Sequence, residues 1–132
     1  MPHYLPDTNA FSDYAHGKHA ALSVRMDNGA HNQSLILSAI VLAEMSYDWQ
    51  KTGGTKRTTK QRAFVTQLTP QPFDGAAARA YGLLKYYLRH ATIGERDLFI
   101  AAHAIALDAV LVTRNTREFS KVPGLAVEDW SS

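Results

Sequence analysis

The sequence predicts an α/β fold in which a central parallel sheet of four to five short strands is flanked by helices on both faces. Three observations predict it. Val110-Leu111-Val112-Thr113 is a short, β-branched run between polar residues, the pattern of a buried strand. Apolar runs at Tyr4-Leu5 and at Ser34 to Ser38 each lead to a helix-capping residue and then to a helical stretch. Strands alternating with helices pair in parallel, because the crossover returns the chain to the same end of the sheet.

The elements follow in order. Tyr4-Leu5 is the first strand, stopped by Pro6, which has no N–H for a central ladder. Asp7-Thr8-Asn9 favours a turn and an N-cap, opening a short helix from Asn9 to Ala15. A second helix covers His19 to Asp27 and ends at Asn28-Gly29. Ser34 to Ser38 is the second strand, and Ser38 caps a helix carrying Ile40, Val41, Ala43, Glu44, Met45 and Tyr47. Gly53-Gly54 breaks that helix, and the next spans Lys56 to Leu68. Pro70 to Phe73 is a short strand, after which Asp74 caps a long helix to about His90. Gly94 opens a helix from Glu95 to Leu107. Val110 to Thr113 is the strongest strand, Asn115 to Phe119 a single helical turn, and Leu125 to Val127 an edge strand.

A chain of 132 residues accommodates one core, so residues 1–132 are read as a single domain. Hydrophobic residues form 45% and charged residues 20%, a balance that excludes disorder as the main property. The absence of cysteine excludes disulfides and thiolate zinc sites. No apolar run approaches the ~20 residues of a membrane span, and the N-terminus lacks a signal-peptide pattern, so the expectation is a soluble cytoplasmic protein. The net charge is only +2, yet Trp49 to Phe73 holds no acid while carrying Lys51, Lys56, Arg57, Lys60 and Arg62. That stretch is either a phosphate-facing patch or a solvated helix face.

In open parallel sheets, chemistry collects at the carboxyl ends of strands and the helix starts beyond them. Asp7 follows the first strand, Glu44 lies in the second turn after the second strand, and Asp97 lies in the first turn of its helix. Thr113-Arg114-Asn115 ends the strongest strand. Carboxylates gathered there repel one another unless a cation or proton compensates, and oxygen ligands of this kind suit Mg²⁺ or Mn²⁺. Each acid alone has a structural alternative. Asp7 can serve as a cap, Asp97 suits the positive end of a helix, and Asn115 with Glu118 fits a capping box.

Leu5-Pro6-Asp7-Thr8-Asn9 and Leu37-Ser38-Ala39-Ile40 leading to Leu42-Ala43-Glu44 resemble the first two motifs of PIN-domain nucleases. Ile93 to Ala104 resembles the third, and Leu111 to Phe119 followed by Val122-Pro123-Gly124-Leu125 resembles the fourth and the C-terminal strand. The similarity covers nearly the whole chain in order and is nearest to the VapC toxins of toxin–antitoxin pairs. It implies a PIN-like fold and a Mg²⁺- or Mn²⁺-dependent endoribonuclease acting on transfer RNA or another structured RNA by in-line attack of metal-activated water. It implies Asp7, Glu44 and Asp97 as metal-binding acids, a VapB-like antitoxin, and a homodimer. Asn115 stands where PIN domains often carry an acid, which leaves a second metal open, with Glu118 as a replacement carboxylate. Thr8, Asn9, Ser38 and Thr113 can orient acids or water. Arg96 and Arg114 can contact phosphate, and the Lys51 to Arg62 patch can hold RNA further out or face the antitoxin.

Other classes fit less well. A receiver domain needs an acid pair after the first strand, and Asp7 has no acidic neighbour. Gly53-Gly54-Thr55-Lys56-Arg57-Thr58 lacks the Gly-Lys-Ser/Thr ending of a P-loop, and no serine sits in a Gly-x-Ser-x-Gly turn. The alternative from another class is a non-catalytic PIN-like module that binds nucleic acid or antitoxin without cutting.

Overall fold

The computed structural model describes residues 2–132; Met1 alone lies outside them. Five short strands, β1 (Tyr4–Pro6), β2 (Leu37–Ser38), β3 (Pro70–Gln71), β4 (Val110–Val112) and β5 (Val127–Glu128), alternate with seven helices. The helices are α1 (Thr8–His16), α2 (Ala20–His31), α3 (Ala39–Thr52), α4 (Lys56–Val65), α5 (Gly75–Tyr87), α6 (Glu95–Ala106) and α7 (Thr116–Phe119). All strand pairs are parallel: β1 with β4, β4 with β5, and β2 with β3. A single bridge, Tyr4 to Leu35, joins the two groups, so the strands run β3-β2-β1-β4-β5 across the molecule.

The expected single sheet is thus a three-stranded and a two-stranded sheet, and Pro6 explains the division. Tyr4 donates to the Ser34 carbonyl at 2.8 Å and accepts from the Ile36 amide at 2.7 Å. Two residues on, Pro6 faces the same side with no N–H to continue that ladder. It nevertheless belongs to β1, in register with Val112, because the β4 side needs nothing from it: there the Asp7 amide donates to the Val112 carbonyl at 3.0 Å. The second strand shrinks accordingly from Ser34–Ser38 to Leu37–Ser38.

Leu111 and Val112 are successive residues of β4, so they point to opposite faces, and both are buried. The same holds for Leu5 and Pro6 in β1. The three-stranded sheet is therefore covered on both faces, with Phe11, Met26, Val41, Met45, Ala101 and Phe119 in the surrounding core.

Helix ends shift for local reasons. α2 continues past the expected stop at Asn28-Gly29 to His31, because Gly29 is buried against Leu35, where an added Cβ would meet that side chain at 2.7 Å. That glycine serves close packing rather than termination. α4 ends at Val65 and α5 at Tyr87, both short of the expected Leu68 and His90. β5 lies at Val127–Glu128 rather than Leu125–Val127.

Candidate active site

The strand order reverses at β1 and β4: from β1 the chain builds outward to β2 and β3, then returns to the other side as β4 and β5. Ligands of open α/β sheets occupy the crevice beyond the carboxyl ends of strands at such a reversal. Asp7 and Thr113 stand there, each the first residue past its strand, 5% and 1% exposed.

Asp7 caps α1, its Oδ1 accepting from the Ala10 amide at 2.9 Å. Glu44 reaches the same place from the second turn of α3, and Asp97 from the first turn of α6, whose N-cap is Gly94. Asp7, Thr8, Asn9, Glu44, Arg96 and Asp97 share the walls of one cleft of about 680 Å³. Thr8 donates from its hydroxyl to Glu44 Oε1 at 2.8 Å, and Arg96 donates to Oε2 at 3.2 Å.

The charges in this cleft are under strain. Burial pushes Asp7 from 3.8 up to about 6; the Thr113 hydroxyl and the Ala10 amide work against it, while the carboxylates of Asp97 and Asp13 add to it. Asp97 is also raised, first by burial and then by Glu118 and Glu44, with Arg96 opposing. Among the described residues no three acidic or histidine side chains stand together as a finished metal cage. The side chains on offer to a cation are carboxylates and other oxygens, and the Asp97 charge acts on Asp7 while those of Glu118 and Glu44 act on Asp97. That set suits a hard cation that binds one or two carboxylates and keeps several waters.

The other expected residues divide. Asn115 is exposed and makes no side-chain cap, so the expected capping box is not formed; its amide instead donates to Thr113 Oγ1 at 3.0 Å. Glu118 pairs with Lys121 at 3.2 Å and acts on Asp97 only through its charge. Ser38 is fully buried and touches no acid; it bonds His103 at 2.8 Å. Arg114 lies against Asp13, with Nε and Nη2 at 2.5 and 3.3 Å from its two carboxylate oxygens. Within the basic patch, only Lys51 lines the acidic cleft. Lys60 covers Tyr14, Arg62 covers Trp49, Arg57 bonds His16 at 2.8 Å, and Lys56 is exposed.

The sequence alone does not single out Asp13, Asp48 or Glu95. Asp48 and Glu95 line the cleft, and Asp13, 2% exposed, lies within range of Asp7. The signal for Asp13 was its place three residues beyond buried Ala10, on the inward face of α1.

Residues 4–125 match the PIN domain. Ribonuclease VapC2 of Rickettsia felis is 36% identical over 131 residues, 96% of this chain and 97% of the relative. The tRNA(fMet)-specific endonuclease VapC of Shigella flexneri is 32% identical over 117 residues, 86% of this chain and 89% of its own length. The crystal structure of VapBC2 from Rickettsia felis bound to a DNA fragment from its promoter superposes with a TM-score of 0.85 at 32% identity, covering 96% of this chain and 98% of that one. The chain belongs to the PIN-domain family, in its VapC branch.

Proposed function

We propose that this protein is a Mg²⁺- or Mn²⁺-dependent endoribonuclease, the toxin of a toxin–antitoxin pair, hydrolysing phosphodiester bonds of transfer RNA or another structured RNA in the cytoplasm. The observation that carries the reading is Asp7. It is a nearly buried carboxylate on the wall of a cleft beside Asp97, with its affinity for protons raised first by that burial and further by the carboxylates of Asp97 and Asp13. Its capping role uses one oxygen and explains neither its burial among acids nor the cleft.

Asp7 and Asp97, with Glu44 beside them, would hold the ion. Bound there, it would polarise the phosphodiester and lower the pKa of the attacking water. Thr8 orients Glu44, Thr113 steadies Asp7, and Asn9 stands on the cleft wall within reach of substrate. Arg96, whose side chain is 79% exposed, is free to turn from Glu44 to an RNA phosphate once a metal takes over that charge. Structural relatives are VapBC assemblies, one of them described as a member of the VapBC family of toxin–antitoxin systems, which supports a VapB-like antitoxin as partner here; a homodimer is part of the same proposal.

The test is cleavage of total cellular RNA by the purified protein in Mg²⁺ or Mn²⁺ against EDTA, with Asp7→Asn and Asp97→Asn alongside. Metal-dependent cuts at a few sites, lost in both variants, are expected. Equal activity in the variants overturns the proposal. RNA binding without any cutting supports the non-catalytic alternative.

A further inference from the structure

Past the acids, the cleft wall is built by α3. Tyr47 and Lys51 follow Glu44 at three and seven residues, so all three share one face of the helix. Tyr47 is 65% exposed on the wall of an acidic cleft, and among the described residues no other aromatic ring packs on it. The Lys51 ammonium lies 5.1 Å from the ring centroid, and its other partner is Asp48 at 3.8 Å, a loose surface pair. Asp48 and Lys51 also border a second concavity of about 210 Å³ lined by Arg57, Thr58 and Gln61. An aromatic face and an ammonium thus follow Glu44 along α3, and a polar hollow adjoins them through Asp48 and Lys51.

We infer that Tyr47 and Lys51 form a nucleotide subsite, in which the Tyr47 ring stacks on an unpaired base next to the bond that is cut and Lys51 binds the adjoining phosphate. Stacking needs a base whose face is free, so the substrate segment entering this cleft is single-stranded or splayed from its helix. The substrate class rests on the nuclease reading above; the geometry of the subsite does not. Asp48, Lys51, Thr8, Asn9 and Glu95 line the same cleft as Tyr47 and offer a nucleotide hydrogen-bonding groups beside the ring.

The test is binding, measured in EDTA so that nothing is cut. The probe is a short fluorescent single-stranded RNA of mixed sequence, compared with the same strand annealed to its complement. Tyr47→Ala is expected to weaken single-strand binding about tenfold. Tyr47→Phe, which keeps the ring, should stay close to wild type. Lys51→Ala should reduce the salt dependence of binding by about one phosphate contact. Duplex should bind more weakly than single strand. Unchanged affinity in Tyr47→Ala overturns the subsite, as does a Tyr47→Phe variant as weak as the alanine. If RNA is still cut by the wild type in that case, the nuclease reading stands without the subsite. Tyr47-dependent binding with no cutting in Mg²⁺ leaves the subsite and removes the nuclease.

Discussion

Ser38 and His103, 65 residues apart in sequence, are joined by a buried hydroxyl–imidazole hydrogen bond of 2.8 Å. The other ring nitrogen, Nε2, faces the Pro72 carbonyl at 3.1 Å, which accepts only from an N–H, so Nδ1 is the acceptor and Ser38 the donor. Ser38 also accepts from the Ile40 amide at 3.1 Å as the N-cap of α3. One neutral imidazole thus ties the start of α3, which carries Glu44, to α6, which carries Asp97.

Protonating His103 would place a second donor against Ser38, and burial holds its pKa below the ordinary 6.5. The unfolded chain therefore takes up this proton first on acidification. The stabilisation is complete above 6.5 and declines as pH falls below it. Urea unfolding of His103→Gln should show a stability loss of about 2 kcal/mol near neutrality and a flatter slope against pH than wild type. An unchanged slope would exclude His103 as the group responsible.

Asp7 acts with the opposite sign. Its folded pKa of about 6 exceeds the ordinary 3.8, so between those values the folded protein keeps a proton that the unfolded chain has released. Stability contributed by this group is present below 3.8 and lost as pH rises through about 6. In metal-free protein at neutral pH, Asp7→Asn should therefore be more stable by about 2 kcal/mol, since Asn keeps the cap and removes the buried charge. The same variant should have no nuclease activity. A lower melting temperature for Asp7→Asn would contradict this account.

A cation that compensates the same buried charge must stabilise the native state. Mn²⁺ or Mg²⁺ at a hundred times its dissociation constant should add about 2.7 kcal/mol, seen as a rise in Tm by calorimetry. The rise should grow as pH is raised through 6, where Asp7 releases to solvent the proton that competes with the metal. Asp7→Asn and Asp97→Asn should show little of it. A shift of equal size in all three proteins would place the ion elsewhere.

Asp13 and Arg114 meet across 101 residues of sequence and tie the loop after β4 to α1. Because the Asp13 side chain is 3% exposed and that of Arg114 45%, removing the arginine strands a buried charge, whereas removing both does not. Arg114→Met should cost about 2 kcal/mol, and Asp13→Asn combined with it should cost less than the two changes added together. A double-mutant cycle by urea unfolding measures this directly; simple additivity would show that the pair contributes nothing.

Much of this fold was legible residue by residue. Asp7, Ser38 and Asp74 stand at cap positions in the sequence and accept from the amides of Ala10, Ile40 and Ala77. The β-branched run at Val110 to Thr113 became β4. These signals act within one turn or one strand, so the chain states them locally. Pro6 was misjudged because a missing N–H matters only on the side where a ladder continues, and the sequence does not say which side that is. Gly29 was misjudged because its reason is Leu35, a neighbour in space. Ser38 and Arg114 likewise bond to His103 in α6 and Asp13 in α1, partners that no spacing announces.

Sequence alone therefore determined the class of fold, the ends of several elements and the family whose motifs carry Asp7, Glu44 and Asp97. The tertiary structure decided that β1 lies beside β4, and hence that Asp7 and Thr113 share one edge with α3 and α6 closing over it. The reason is the range of the forces. Capping and periodicity are settled by bonds a few residues long, whereas strand order is settled by which apolar faces of the whole chain can be buried together.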